Sequence, residues 1–285
     1  MRSEHEMYSL ILRVAEGDER IRGVVMNGSR ANPDAPKDVF QDYDIIYLVR
    51  EIATFSSDWL NIFGERLMLQ KPEEMRYPSG SGHQVYLMLF ADGNRIDLTL
   101  LPMERLPGHR WESQSIMLLD KDHSLPAFPV PSDADYHIKP PSKLFYESCC
   151  NNFWWCSQNV AKGLRRGELP YAMYMLERVL RDELHDMLEW HIGVHNRFGV
   201  SAGHFGKYYR RFMSKRHYSL YAATFPGANP QQIWRALFAM CKLFRELAAD
   251  VAAPFGYEYP IGDDERMTAY LRRVKALPRG AKRIF

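Results

Sequence analysis

The stretch MNGSR at residues 26–30, followed by QDYDIIY at residues 41–47, is the part of this chain that most clearly indicates its fold. A Gly-Ser turn closes a short apolar strand, and a second apolar strand then carries acids at alternate positions. Because successive side chains of a strand point to opposite faces, Asp42 and Asp44 are predicted to share one face. Two adjacent carboxylates repel unless a cation lies between them. The pattern therefore predicts a divalent metal, with a phosphate held at the Gly28-Ser29 turn.

A third acid, Asp97, lies in another apolar strand. If that strand lies beside the strand of Asp42 and Asp44, the three carboxylates converge. Such a cluster can hold two magnesium ions, which would neutralise a triphosphate and activate an attacking hydroxyl. The alternative is an ordinary ion pair between Asp97 and Arg95, two residues earlier on the same face. Three acids in two apolar strands favour the metal site over the ion pair.

Composition limits the class of protein. The 285 residues are 46% hydrophobic and 13% aromatic, which favours ordered cores over disorder. Cys149, Cys150, Cys156 and Cys241 lack zinc-site spacing and are expected to be reduced structural thiols. No apolar run is long enough for a membrane span, and residues 1–10 lack the features of a signal peptide. We therefore expect a cytoplasmic protein with no membrane partner.

Charge is uneven along the chain. Residues 1–138 contain 14 Lys and Arg against 22 Asp and Glu, whereas the remainder contains 23 against 13. The basic second half could face nucleic acid, the phosphates of ATP or an acidic partner domain. Its basic residues are scattered and not interleaved with aromatic residues, so no nucleic-acid partner is expected.

Hydrophobic periodicity predicts an α+β chain. A helix is predicted over residues 4–16, a loop over residues 31–38, and strands over residues 22–26, 42–49, 66–69, 84–90, 95–101 and 116–119. Prolines are dense from residue 125 to residue 141, which indicates a linker. Helical periodicity then covers residues 142–166, 169–191 and 230–252. The predicted domains are residues 1–135, a small domain of strands and helices, and residues 136–285, a helical domain.

The order of these motifs resembles a known family. A Gly-Ser turn followed by Asp-x-Asp is similar to the signature of the nucleotidyltransferase superfamily with the polymerase-beta-like fold. This resemblance implies a mixed sheet with flanking helices in the first domain and a helical bundle in the second. NGSR with NP at residues 27–33 and FQDYDI at residues 40–45 resemble the aminoglycoside 6-adenylyltransferases, which modify streptomycin. The second half contains further similar words, namely ESCCNNFWW (147–155), VAKGL (160–164), WHIG (190–193), GKY (206–208) and IWRALF (233–238). The resemblance spans nearly the whole chain.

The resemblance implies an activity and roles for the motif residues. The enzyme would transfer AMP from ATP to a hydroxyl of a streptomycin-type aminoglycoside, release pyrophosphate and so inactivate an antibiotic. Asp42 and Asp44 would bind magnesium, and Asp97 would be a metal ligand, the general base or both. Gly28 and Ser29 would hold the ATP phosphates, with Ser29 using its backbone N–H and its hydroxyl.

Two basic residues are further candidates for the ATP phosphates. Arg30 follows the serine directly, and guanidinium matches phosphate geometry, although an ion pair is an equal alternative. Lys207 lies in a glycine- and aromatic-rich loop that leads into a helix, so its ammonium group could reach a triphosphate. Arg210 and Arg211 follow it, and a solvated basic face would look similar.

A polycationic acceptor requires negative charge. Asp182, Asp186 and Glu189 share one face of a predicted helix, and carboxylates bind ammonium and guanidinium groups well. The alternative is a solvated helix with ion pairs to interleaved arginines. Glu183 is predicted to face inward, and Glu183, Asp182 and Trp154 are the predicted substrate residues. Core packing is the alternative for Trp154 or for its neighbour Trp155, since adjacent residues cannot both face one pocket.

Two other functions stay open at the level of sequence. One is a nucleotidyltransferase that acts on a protein side chain or an RNA end. The other is a catalytically silent nucleotide-binding protein, which the three acids disfavour because such a protein has no need to hold like charges together. We expect a monomer or a weak homodimer.

Overall fold

The computed structural model describes residues 1–33, 35–278 and 280–285. The chain forms two compact units, Met1–Asp135 and Tyr136–Phe285, and the boundary between them in the sequence falls within the proline-dense segment. The predicted loop at residues 31–38 includes Asp34, which lies outside the described residues. The mixed sheet of the first unit and the helices of the second confirm the predicted α+β fold class.

The first unit contains one long helix, α1 (Glu4–Gly17), and a six-stranded sheet. The strands are β1 (Ile21–Asn27), β2 (Tyr43–Val49), β3 (Arg66–Gln70), β4 (Gln84–Phe90), β5 (Arg95–Pro102) and β6 (Ser115–Asp120). Their order across the sheet is β3-β4-β5-β2-β1-β6. β2 and β5 run parallel, and the other neighbouring pairs run antiparallel. The sheet is therefore mixed, as predicted.

The central strand β2 is apolar because both of its faces are covered. Tyr47 and Ile46 lie on opposite faces and both are buried. On one face, α1 packs through Met7 and Ile11, and the hydroxyl of Tyr47 donates a hydrogen bond to the carbonyl of Ile11 at 2.7 Å. Central strands buried on both faces read as continuous apolar runs, so a carboxylate at the edge of such a run stands out.

The second unit is helical. Its helices are α2 (Lys143–Arg166), α3 (Leu169–Tyr174), α4 (Arg181–His195), α5 (Tyr209–Phe212), α6 (Lys215–Ala222), α7 (Pro230–Phe255) and α8 (Ile261–Ala276). Ser142 and Asn229 cap α2 and α7 through their side chains. The two helices share a core in which the rings of Phe153 and Phe244 stack 3.8 Å apart. No described helix has the length and apolar character needed to cross a bilayer.

The structure differs from the predicted helices in two places. The helix predicted over residues 169–191 contains one π-helical segment, Met175–Leu180, and continues to His195. Gly193 lies inside α4. The ring of Phe198 packs so closely against it that a Cβ atom there would come within 2.4 Å of the ring, so this position requires glycine. Periodicity also did not predict α5, α6 or α8, because each is short or mostly polar.

The prediction that Trp154 lines a substrate pocket is wrong. Trp154 is only 2% exposed, its ring contacts those of Phe153 and Phe244 edge-on, and its indole N–H donates to the hydroxyl of Tyr259. Its neighbour Trp155 is 67% exposed. The buried face of α2 passes through residue 154, so this tryptophan belongs to the core.

Replacing the two tryptophans should therefore give different results. Trp154→Ala should lower the free energy of unfolding by about 3–5 kcal/mol, because it empties a packed core position. Trp155→Ala should change it by less than about 0.5 kcal/mol, as is usual for exposed sites. Chemical denaturation of both variants measures the difference, and equal losses would contradict the assignment of Trp154 to the core.

Candidate active site

The turn after β1 contains a glycine that leaves room for a neighbouring carboxylate. Gly28 has a positive φ of 76°, and a Cβ atom there would lie 2.1 Å from Oδ2 of Asp44. No other residue type fits both the backbone and the contact. The Gly28 N–H donates to the carbonyl of Gln114 at 3.0 Å. Gly28 thus admits the Asp44 carboxylate, and its own amide N–H already has a partner in the Gln114 carbonyl.

The parallel pairing of β2 and β5 brings the three acids together. Asp44 is paired with Asp97 in the strand register, and Asp42 lies immediately before β2. One carboxylate oxygen from each acid lies within 4.8 Å of the others. The strand begins at Tyr43, one residue later than predicted, so Asp42 precedes the ladder. The condition for convergence, that the Asp97 strand lies beside β2, is met.

The cluster is electrostatically unfavourable without a cation. Burial, reinforced by the carboxylates of Asp42 and Asp97, raises the pKa of Asp44 to about 7. Arg95 offsets part of this charge, because its Nε donates to Asp97 Oδ1 at 2.7 Å and its Nη2 to Oδ2 at 2.5 Å. Arg95 also lies 3.8 Å from Asp42. The predicted ion pair and the predicted acidic cluster therefore coexist.

The donor set fits a hard divalent cation. The three side chains offer only carboxylate oxygens, which Mg²⁺ and Ca²⁺ prefer. Opposite ligands of an octahedral Mg²⁺ lie about 4.2 Å apart, which is compatible with oxygens that all lie within 4.8 Å of one another. Among the described residues, this is the one group of at least three His, Cys, Asp or Glu side chains with metal-site spacing.

Ser29 and Arg30, the residues of the turn that were predicted to bind phosphate, differ in how far their side chains are already hydrogen-bonded. The hydroxyl of Ser29 accepts a hydrogen bond from Nε2 of Gln41 at 3.3 Å. Arg30 donates from Nε to the carbonyl of Asp42 and from Nη2 to the carbonyl of Gln41. Its guanidinium group is therefore engaged with the backbone, and its Nη1 lies 3.4 Å from Oε1 of Glu4, in an ion pair of the kind named as the alternative to a phosphate contact.

Lys207 lies in the second unit, directly after the 3₁₀ turn His204–Gly206. Its side chain is exposed, and Nζ lies 5.1 Å from the centre of the Tyr208 ring. Gly203 and Gly206 both have positive φ, so the chain bends sharply on either side of this turn. The geometry presents the ammonium group to solvent, and the role of Lys207 stays a prediction.

The acids of α4 form a cluster in the second unit. Asp182 and Asp186 are exposed, and Glu183 and Glu189 are half-buried. Although Asp186 as a whole residue is exposed, desolvation of its carboxyl group, followed by the carboxylates of Glu183, Glu189 and Asp182, raises its pKa to about 6. Glu183 Oε1 accepts from Nδ2 of Asn152 at 2.5 Å. The cluster is short of positive charge, which suits a cationic ligand.

Sequence reasoning missed two residues that organise these sites. Gln41 joins the turn to the segment before β2 through its bond to Ser29, and its sequence context gives no sign of this contact. Tyr209 donates to Oε1 of Glu189 at 3.3 Å, and it is buried beneath the acidic face. The i, i+2 spacing of Arg95 and Asp97 did reveal their pairing.

The fold and the acidic cluster define a class. A mixed sheet that places three carboxylates on two neighbouring strands, behind a Gly-Ser turn, is the arrangement of a nucleotidyltransferase. A family model described as streptomycin adenylyltransferase matches residues 1–274. The chain belongs to that family and is an adenylyltransferase.

Individual relatives agree with this assignment. The aminoglycoside 6-adenylyltransferase of Campylobacter jejuni is 39% identical over 279 residues, which cover 96% of each chain. The protein of the same name from Bacillus subtilis (strain 168) is 38% identical over 280 residues, covering 96% of this chain and 98% of that protein. The crystal structure of an aminoglycoside 6-adenyltransferase from Bacillus subtilis is 33% identical, with a TM-score of 0.49, and covers 97% of this chain and 100% of that chain.

The raised pKa of Asp44 predicts a pH-dependent gain in stability for Asp44→Asn in EDTA. The folded-state pKa of about 7 exceeds the ordinary value of 3.8, so folding costs free energy once Asp44 ionises. The cost is absent below pH 3.8, grows as the pH rises to 7, and reaches the order of 4 kcal/mol above it. The asparagine variant avoids it and should be more stable than wild type at pH 8, with little difference at pH 4.

Chemical denaturation at the two pH values measures this effect. Asp122→Asn is the matched control, because Asp122 is ion-paired with Arg22, which lowers its pKa, and it should show no gain at pH 8. Added Mg²⁺ should stabilise wild type more than Asp44→Asn, since binding to the folded state raises stability. An equal difference between wild type and Asp44→Asn at both pH values would refute the assigned origin of the pKa shift.

Proposed function

We propose that this enzyme transfers AMP from ATP to a hydroxyl of a streptomycin-type aminoglycoside and releases pyrophosphate. The observation that carries the proposal is the convergence of Asp42, Asp44 and Asp97 beside the turn at Gly28. The names of the relatives, which are aminoglycoside 6-adenylyltransferases, support the acceptor class. The transfer would inactivate the antibiotic.

Asp42 and Asp44 would hold magnesium, and Asp97 would complete the site. Bound magnesium supplies charge neutralisation of the triphosphate and lowers the pKa of the acceptor hydroxyl. Asp97 takes the hydroxyl proton, and its bonds to Arg95 hold the carboxylate in one orientation. The acceptor oxygen attacks the α-phosphorus in line, the bond from that phosphorus to the bridging oxygen of the β-phosphate breaks, and pyrophosphate leaves. Positioning and charge account for most of the catalysis.

The remaining phosphate contacts come from Ser29 and Lys207. The hydroxyl of Ser29 lies next to the space that Gly28 keeps open for Asp44, so a phosphate bound there would be close to the metal ligands. The exposed ammonium group of Lys207 is a point charge suited to a flexible phosphate chain. Both assignments also rest on the family motif.

We assign the two steps of recognition to different units of the chain. Residues 1–135 would hold magnesium and most of the ATP contacts, and residues 136–285 would bind the acceptor and supply Lys207. The acidic cluster of α4 supports the second assignment, because desolvation and then the neighbouring carboxylates of Glu183, Glu189 and Asp182 raise the pKa of Asp186. A polycationic aminoglycoside would relieve the repulsion among these carboxylates by charge-assisted hydrogen bonds. Four unpaired cysteines support a reducing compartment, the cytoplasm, as the place of action.

The reaction can be tested directly with ATP labelled at the α-phosphate. Incubation with Mg²⁺ and a panel of aminoglycosides should transfer label to streptomycin, with no transfer in EDTA. Asp42→Asn should lower the rate by at least about 10²–10³-fold, the loss typical of a missing electrostatic contact in the transition state. Asp122→Asn, an exposed carboxylate on a surface ion pair, should keep the wild-type rate.

The outcomes test the identity of the acceptor separately from the nucleotidyl-transfer reaction. Label on a protein or an RNA, and on no aminoglycoside, would refute the acceptor and leave a nucleotidyltransferase. Full activity of Asp42→Asn would refute the metal assignment.

The acidic cluster gives a second prediction. Glu183→Gln and Asp182→Asn should each raise KM for the aminoglycoside about tenfold, because each removes a charge-assisted hydrogen bond. KM for ATP should not change in either variant. Steady-state kinetics with one substrate varied at a time measures both constants, and Glu265→Gln, an exposed acid on α8, is the control. A rise in KM for ATP alone would contradict the proposed role of α4.

A further inference from the structure

Arg30 holds the backbone that leads into β2. Its Nε donates to the carbonyl of Asp42 at 3.0 Å, and its Nη2 donates to the carbonyl of Gln41 at 2.9 Å. One planar guanidinium group therefore binds two consecutive carbonyls, a fork geometry that only arginine provides. In return, Nε2 of Gln41 donates to the hydroxyl of Ser29 at 3.3 Å. These bonds join the turn at residues 28–30 to residues 41 and 42 across the intervening loop.

The guanidinium group itself is fixed on its other sides. It lies over the ring of Tyr43 at 3.8 Å, and Tyr43 is 1% exposed in the core. Nη1 lies 3.4 Å from Oε1 of Glu4, on α1. The Arg30 side chain is only 11% exposed. This guanidinium group is stacked, ion-paired and largely buried, so it cannot turn toward a phosphate without breaking its hydrogen bonds to the carbonyls of Asp42 and Gln41.

Asp42 needs this support more than the other two acids do. Asp44 and Asp97 are paired in the β2–β5 ladder, so backbone hydrogen bonds of the sheet fix their positions. Asp42 precedes Tyr43, where that ladder begins, and its side chain is 31% exposed. The bond from Arg30 to the Asp42 carbonyl takes the place of the missing ladder contact.

We propose that Arg30 is a positioning residue that sets Asp42 at its distance from the phosphate-binding turn and from Asp44 and Asp97. The proposal rests on the proposed function, since it assigns Asp42 a role in metal binding. Arg30 acts on the metal site through the backbone and makes no contact with the nucleotide. Loss of the fork would let Asp42 move and would weaken magnesium binding, while the charge of Arg30 would not matter in itself.

Arg30→Lys separates these roles. Lysine keeps the positive charge and binds phosphate well as a point charge, but it cannot donate to two carbonyls in one plane. Arg20→Lys is the matched control in the same unit. Arg20 also lies over an aromatic ring, that of Phe55 at 4.2 Å, and donates to a backbone carbonyl, that of Thr54, but at neither of the site strands.

The measurement is the Mg²⁺ dependence of binding of a non-hydrolysable ATP analogue, by calorimetry and without acceptor. Arg30→Lys should raise the half-saturating Mg²⁺ concentration about tenfold, the effect of losing a hydrogen bond to a charged group. Excess Mg²⁺ should restore most of the affinity for the analogue. Arg20→Lys should lower the melting temperature and leave the Mg²⁺ requirement unchanged.

Two results would overturn the proposal. One is a wild-type Mg²⁺ requirement in Arg30→Lys, which would mean that charge alone suffices. The other is the same Mg²⁺ requirement in Arg30→Lys and Arg20→Lys, which would mean a purely structural role. If Arg30→Lys does not fold, Gln41→Ala removes the bond to Ser29 and should shift the Mg²⁺ requirement in the same direction. Because the assay contains no acceptor, failure of the aminoglycoside assignment would leave its result unaffected.

Discussion

The parallel pairing of β2 and β5 is the constraint on which the site depends. It places Asp44 opposite Asp97 in the ladder, where two carboxylates repel at short range and one of them is largely buried. Burial and repulsion together raise the pKa of Asp44. The fold tolerates this arrangement because Arg95 neutralises Asp97 from the same strand and because Gly28 leaves room for the Asp44 carboxylate. A divalent cation would complete the charge balance that these residues begin.

The surroundings of the cluster keep it in place. β2 is covered on both faces, and α1 is attached to it through packing and through the bond from Tyr47 to Ile11. Because a strand packed on both faces moves little, the backbone positions of the acids at its start are fixed. The turn after β1 is fastened in turn by Gly28 to Gln114 and by Arg30 to the segment before β2. Rigid supports of this kind are what positioning catalysis requires.

The differences between sequence and structure share one cause, which is competition for side-chain partners. Trp154 is aromatic and near the family motif, yet the face of α2 that it occupies is buried. Arg30 has the chemistry of a phosphate ligand, yet two backbone carbonyls and the ring of Tyr43 engage it. Gly28 was expected to help hold the ATP phosphates, yet its N–H donates to the Gln114 carbonyl, and its lack of a Cβ atom makes room for the Asp44 carboxylate. Partners distant in sequence decide each case.

Local sequence patterns are enough to predict the strands, the main helices, the two-part organisation of the elements and the three acids of the site. These follow from local periodicity, from turn residues and from the improbability of carboxylates in apolar strands. The three-dimensional structure was needed to show that β5 lies beside β2, that Asp42 falls just before the ladder, and that Arg30 binds the backbone carbonyl of Asp42. Strand neighbours and side-chain partners depend on contacts between residues far apart in the chain, which local patterns do not encode.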